Sequence, residues 1–496
     1  MQSRQWGRGR GEGSPVTQPI HFQPTTGFAE RSRAAASDPA LRGNFRGAMD
    51  FLQAKRRAQF PDAGELADLR DLGAAIRRHA LANLPQLLEQ LEAKLTANGV
   101  RVHWAQTPAE ANAIVLDIAR RAGAKRMIKG KSMVSEEIGL NHALEAAGIE
   151  ALETDMGEYI VQLAGEGPSH IIMPAIHKTK QQIAELFAAK LPGVAYTENV
   201  DALIRIGREV LRRKFAEADI GLSGVNFAVA ETGTLFLVEN EGNGRMCTTV
   251  PRVHVAITGI EKVVAKLEHA VMLNTLLPRS ATGQAVETYQ NMISGPRRAD
   301  ELDGPDEVHL ILLDNGRTQA YGDVQLRATL QCIRCGACMN HCPVYARIGG
   351  HAYGTTYPGP IGAIISPHLL GVGATHALAS ASTLCGACAE VCPVRIPIPE
   401  LLIRLRNEAQ ARPAEASALR GAGEARSALV SAIFRAWVAV YSHPWLYRLV
   451  TWAMSRGRAL TPSTQGAWTG IRTPLVPAPK RLRDLLAEHR RTSGGS

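Results

Sequence analysis

The sequence predicts an α/β domain with a mainly parallel sheet, followed by a helical unit built around cysteine and a helical, basic C-terminal extension. Three observations carry this prediction. Short β-like runs alternate with helix-spaced segments between about residues 100 and 313, the rhythm of strands joined by crossover helices. Seven of the eight cysteines fall between residues 332 and 392. From about residue 411 the chain turns Ala/Arg-rich, then aromatic, then Pro-rich, and closes on KRLRDLLAEHRR.

The elements follow in order. Residues 1–26 are rich in Gly, Arg, Pro and Gln and lack an apolar run, which predicts a disordered basic tail. From Phe28 to about Asn98 the apolar spacing is helical: Leu81, Leu84, Leu87, Leu88, Leu91 and Leu95 share a face, and Asn98-Gly99 stops the helix. Val100–Trp104, Arg126–Ile128, Ala151–Thr154 and His170–Ile176 read as strands, separated by helices over Pro108–Ala122, Ser135–Ala147 and Thr179–Phe187. Between Ile220 and Lys262 glycine-punctuated strands come faster, as in hairpins or bulges. Val308–Leu313 is one more strand, which makes the preceding stretch from Ser294 to Asp306 a loop inside the domain. The domain boundaries expected are 27–316 for the α/β domain with its N-terminal helices, 317–410 for the cysteine unit and 411–496 for the helical, basic C-terminal region.

Composition narrows the functional classes. The 496 residues are 45% hydrophobic and 21% charged, ordinary for globular domains. Net charge is +10, and residues 401–496 alone carry 15 basic and 5 acidic side chains. Basic ends suit docking surfaces, but no module with interleaved aromatics argues for nucleic acid. No secretory pattern opens the chain and no run of about 18 apolar residues occurs, so a cytoplasmic location is expected. Cysteines there read as ligands before disulfides.

The cysteine blocks are Cys332-x2-Cys335-x2-Cys338-x3-Cys342-Pro343 and Cys385-x2-Cys388-x3-Cys392-Pro393. The first is the complete run of bacterial ferredoxins, in which the fourth cysteine serves the other cluster. Cluster one then takes Cys332, Cys335, Cys338 and Cys392, and cluster two takes Cys342, Cys385 and Cys388. Ser382 stands where the second motif would begin, so cluster two is either a 3Fe-4S cluster or a 4Fe-4S cluster with Ser382, water or another group on the fourth iron. Zinc fits poorly, because its sites favour two separated Cys pairs per ion. The long gap between the blocks suggests the α-helical ferredoxin type. Cys247 reads as a small buried hydrophobe, and His341 and His351 as packing or tuning residues rather than ligands.

Polar segments in the α/β domain stand where such proteins place their sites. Lys131, Glu153, Asp155, Glu158, His177, Glu231, Asn243 and Arg245 are candidates for carboxylate binding or acid–base work, with Arg252 a second candidate for holding a carboxylate. The Gly130-Lys131-Ser132 triplet lacks the glycine needed at position 125 for a phosphate loop, and no dinucleotide fingerprint is present.

Long stretches carry a family resemblance: GKSMVSEEIGLNHALEAAGIEALETDMGEYIVQL, PSHIIMPAIHK, DIGLSGVNFAVAETGTLFLVENEGNGRM, CIRCGACMNHCPVYARIGGHAYGTTYPGPIGAI and STLCGACAEVCPVRIPIPELLIRLR. From about residue 27 to about 480 the chain resembles the iron–sulfur B proteins of bacterial lactate-utilization systems. The resemblance implies a lactate-utilization (LUD) domain similar to the sugar-phosphate isomerase and CoA-transferase fold. It also implies partner proteins A and C, and oxidation of L-lactate to pyruvate with electrons leaving to an unidentified acceptor. The family's STLCGAC motif matches Ser382.

Two other functions compete. One is a ferredoxin-type subunit of another 2-hydroxy-acid or glycerol-phosphate dehydrogenase. The other is a non-enzymatic redox sensor or scaffold. Residues 428–454, with Trp437, Trp445 and Trp452, read as a helical hairpin broken at His443-Pro444 that packs on the body, or else as a partner or peripheral membrane contact.

Overall fold

The computed structural model describes residues 27–409, 428–466, 469 and 473–493; the expected N-terminal tail and residues 411–427 lie outside them. The chain divides into two units, residues 1–424 and 425–496.

The first unit is organised on a six-stranded, all-parallel sheet. Its strands are β1 (Arg101–Ala105), β2 (Arg126–Lys129), β3 (Glu150–Glu153), β4 (Ile220–Gly224), β7 (Val253–Gly259) and β10 (Glu307–Leu313). Their order is β1-β10-β7-β4-β2-β3. The central strands β4, β7 and β10 are buried on both faces. A smaller sheet, in the order β8-β5-β6-β9, comprises β5 (Phe227–Val229), β6 (Thr234–Glu239), β8 (Val263–Val264) and β9 (Tyr289–Ile293). The stretch 294–306 is a loop between β9 and β10.

Helices 39–59, 63–82 and 84–97 precede the sheet. Asp38 and Asp62 cap the first two by accepting from backbone N–H groups of their first turns. The expected strand at His170–Ile176 is instead a partly buried turn. His170 Nδ1 accepts from the backbone N–H of Ile172 at 3.0 Å and Met173 at 3.1 Å, and this side chain diverts the backbone from any ladder.

The cysteine segment has no separate core. One apolar cluster runs from Phe45, Met49 and Leu52 through Phe227, Phe236 and Leu273 to Tyr345, Ile364 and Leu401. Each such side chain contributes about 1.5–3 kcal/mol when fully buried. Between residues 337 and 408 the described elements are all helical, the longest being 359–370, 372–380 and 398–408.

The second unit holds helices 428–442, 444–456 and 482–493. Pro444 occupies the first turn of the middle helix, where its missing N–H costs nothing. Trp437, Trp445 and Trp452 are 55%, 64% and 43% exposed. Among the described residues no helix is long and apolar enough to cross a membrane.

Candidate redox centre and adjoining cavities

The two cysteine loops follow the same backbone path. Arg334 and Leu384, one residue before Cys335 and Cys385, have φ of 62° and 56°; Gly336 and Gly386, one residue after, have 73° and 87°. Left-handed residues of this kind turn successive amides into a concave cradle for a negative group. Non-glycine residues adopt such φ at a cost of about 1–2 kcal/mol each, so two in matched positions mark a demanded shape. A short helix then opens at Ala337 and at Ala387.

The thiols fall into two groups in space. Cys332, Cys335, Cys338 and Cys392 line one small cavity. Burial raises the Cys338 thiol, and the neighbouring Cys332, Cys335 and Cys392 raise it further. Burial likewise raises Cys388, with Cys342 and Cys385 as its sulfur neighbours. Backbone amides point at these sulfurs: Arg334 at Cys332 (3.3 Å), Tyr345 at Cys342 (3.5 Å) and Ile396 at Cys392 (3.3 Å). At the position matching Cys332, the Ser382 hydroxyl accepts from the Leu384 N–H at 3.1 Å, the same local bond with oxygen in place of sulfur.

Both groups suit an iron–sulfur cluster. Burial holds the free thiols of Cys335 at about 12 and of Cys392 at about 11, and bound iron would draw them down to the thiolate. The surroundings differ. Arg56 and Arg70 bond the carbonyls of Val391 and Cys392, and Arg77 those of Gln331 and Leu330, which places three guanidinium groups around the first group of thiols. In the second group Cys385 is exposed.

Beside the first group lies a cavity of about 290 Å³ at the carboxyl ends of β2, β3, β4 and β7, the end of a parallel sheet where ligands bind. Lys131, Asp155 and Asn243 line it, as do Glu241, Lys262 and Arg334. Lys131 Nζ donates to the Ile172 carbonyl and lies 3.9 Å from Asp155. Burial and then Asp155 raise Glu241 to about 7; burial and then Arg334 lower Lys262 to about 7. Arg334 is the residue whose N–H meets Cys332. Its Nη2 pairs with Glu261 at 3.0 Å, and its buried Nη1 has no partner among the described residues.

Glu153 and Glu158 line a second cavity behind the sheet edge. Buried Lys129 pairs with Glu153 and lies 3.5 Å from Glu136. Burial, then Glu153 and Asp155, raise Glu158 well above the carboxylate range, and neither of its oxygens has a partner among the described residues. His177 pairs with Glu166 at 2.7 Å and with Ser169 at 3.0 Å.

Glu231 and Arg245 stand apart from these cavities. Glu231 accepts from the Leu267 N–H at a helix start, and Arg245 stacks on Tyr289 with its guanidinium 4.6 Å from the ring centre. Arg252 is surface-exposed and pairs with Asp306 at 2.8 Å. Cys247 is fully buried, and burial pushes its thiol up to about 12. Sequence reasoning missed Arg334 and Lys262. The first looks like a spacer inside a cysteine motif, and no local pattern marks the second.

Family models match as follows: LUD domain over residues 88–313, 4Fe-4S dicluster domain over 328–396, and the C-terminal domain of lactate utilisation protein B over 404–491. The chain is 40% identical over 95% of its length to lactate utilization protein B of Bacillus licheniformis, covering 98% of that protein. With the Bacillus subtilis protein of the same name it shares 39% over 94% of this chain and 96% of that one. An "uncharacterized electron transport protein" of Escherichia coli K12 is 46% identical over 77% of this chain and 80% of its own.

Proposed function

The chain belongs to the lactate utilization protein B family, and on that premise we propose that it is the two-cluster electron-transfer subunit of a complex oxidising L-lactate to pyruvate. An iron–sulfur role in lactate utilization follows from the family and the dicluster domain. The rest is our reading. Cluster one is held by Cys332, Cys335, Cys338 and Cys392. Cluster two is held by Cys342, Cys385 and Cys388, with its fourth position on Ser382 or a non-protein ligand. Residues 27–316 act as the LUD domain, 317–410 as an α-helical ferredoxin-type unit and 411–496 as a docking region. Proteins A and C are the partners, the setting is cytoplasmic, and an acceptor beyond the complex takes the electrons.

The observation that carries this reading is the double position of Arg334. Its amide donates to Cys332 while its side chain lines the 290 Å³ cavity. The Arg334 guanidinium and Lys262 bind the carboxylate of a 2-hydroxy acid there, in surroundings of low polarity that strengthen the contact. Lys131 and Asp155 face the same space and position the hydroxyl or exchange its proton. When bound, the clusters supply single-electron acceptance.

The C-terminal region suits a peripheral membrane contact. No acidic residue lies between Ala425 and Arg483, and the exposed tryptophans accompany arginines.

A complementation experiment tests the function. A strain lacking this chain regains growth on L-lactate when given the wild-type chain. With Cys388→Ser it grows on pyruvate only. Unimpaired growth of the variant on L-lactate would overturn the reading.

A further inference from the structure

A second cluster of donor side chains lies away from the cysteines. Glu166, His177 and His351 bring one ligand atom each to within 4.8 Å of one another. Glu166 and His177 bracket the partly buried turn segment of the α/β domain, and His351 opens a short 3-10 turn in the cysteine unit. The two imidazoles meet edge to face with ring centres 4.6 Å apart.

The outer contacts of these residues are those of metal ligands. His351 Nε2 donates to the Gly167 carbonyl at 2.8 Å, which leaves Nδ1 for an ion. His177 Nδ1 is held by Ser169 Oγ at 3.0 Å, which turns Nε2 toward Glu166 Oε2 at 2.7 Å. An oxygen partner on the non-ligating nitrogen is how proteins orient a metal-binding histidine. A cavity of about 300 Å³ lined by Glu166, His351, Thr355 and Thr356 adjoins the cluster, which leaves coordination positions open. Lys178 pairs with the other Glu166 oxygen at 2.7 Å and competes with an ion, so binding is weaker than at a closed structural site.

We propose that Glu166, His177 and His351 form a site for a divalent first-row transition cation with an open coordination face, distinct from the iron–sulfur cysteines. Two imidazoles and a carboxylate suit zinc, ferrous iron or manganese rather than calcium or magnesium.

Zinc is the probe. Anaerobically purified full-length protein with its clusters intact is stripped with EDTA and titrated with zinc chloride against a chromophoric chelator. Iron content and visible absorption are followed throughout. The expected result is one saturable zinc per chain with no loss of iron, and affinity lower by about tenfold or more in His351→Ala and Glu166→Gln. His351 is exposed, so its truncation leaves the core intact, and an unchanged iron content verifies this. Zinc-edge absorption should give nitrogen and oxygen neighbours at about 2.0–2.1 Å. Absence of saturable zinc, equal affinity in His351→Ala, or sulfur neighbours at about 2.3 Å would overturn the proposal.

Discussion

Arg317 and Glu137 form a bidentate ion pair, at 2.9 and 2.8 Å, with both side chains wholly buried. Arg317 Nε also pairs with Glu261 at 2.6 Å, and Tyr357 donates to Glu137 at 2.9 Å. Arg334 reaches Glu261 from the cluster-one loop. The segments that follow β2, β7 and β10 are thereby tied to the cysteine unit through two carboxylates. Burial alone would raise Glu261, but Arg317, then Arg334 and Lys262, outweigh it and hold the carboxyl at about 2.

Removing Arg317 takes away the ion-pair partner of Glu137 and leaves Glu261 with Arg334 alone. Arg317→Met should cost about 3–5 kcal/mol, the usual effect of breaking a buried pair from one side. Chemical denaturation followed by circular dichroism measures it. A loss under about 1 kcal/mol would show that the network is not needed for stability.

The grouping of the thiols predicts which substitutions act together. Cys342→Ser and Cys388→Ser should lose the same cluster, although they lie in different motifs. Cys392→Ser should lose the other one, together with Cys338→Ser. Each variant should keep about four iron atoms per chain or slightly fewer. Iron analysis with low-temperature EPR of dithionite-reduced samples checks this. Loss of one signal by Cys388→Ser and Cys392→Ser alike would refute the crossed ligation.

The charges predict an order of reduction. Arg56, Arg70, Arg77, Arg334 and Lys262 surround the first thiol group and favour the reduced, more negative state of a cluster there. Cluster one should therefore reduce at the higher potential. Arg56→Gln should lower that potential and leave the second nearly unmoved. Redox titration monitored by EPR reads both values, and the reverse order contradicts the electrostatic account.

Close packing predicts a steric lock at Gly350. A Cβ there would stand 1.8 Å from the Ser169 carbonyl oxygen and 2.6 Å from its carbon. Gly350→Ala must push the cysteine unit off the 165–179 segment, at about 1–3 kcal/mol for overpacking. Thermal unfolding should shift downward. An unchanged midpoint would mean that this contact yields easily.

Acid should destabilise the fold through buried neutral histidines. Burial lowers His170 to about 4 and His254 to about 3, below the ordinary value near 6.5. Below pH 6.5 the unfolded chain takes up protons that the folded chain does not, so stability is full above 6.5 and falls as pH drops toward 4. Each histidine contributes up to about 1.4 kcal/mol per pH unit in that window. His254→Gln should flatten the decline between pH 6.5 and 5, measured by denaturant unfolding. An unaltered slope would place the loss elsewhere.

Much of the fold was legible because its signals are local. The mostly apolar run of β10, Val308–Leu313, and the capped, helix-spaced segments read correctly from periodicity alone. The cysteine loops read from spacing, since ligation within a few residues leaves a fixed pattern. His170–Ile176 misled because one imidazole bends a β-like run by bonding its amides. The sites were harder. Arg334 matters because it reaches Glu261 and a cavity made by distant strand ends, and Glu166 because the fold brings His351 beside it. No sequence window holds both members of such pairs. Lys131, Asp155 and Asn243, expected from the rule that polar residues follow parallel strands, line the 290 Å³ cavity, while Glu231 and Arg245 obey the same pattern and sit elsewhere.

The central claim is that electrons from lactate reach the clusters of this chain. EPR on anaerobic protein mixed with its A and C partners, before and after L-lactate, tests it most directly. The account predicts a lactate-dependent reduced-cluster signal that needs all three proteins and is lost in Arg334→Gln with cluster one still reducible by dithionite. Clusters that dithionite reduces but lactate never does, with all three proteins present, would contradict it.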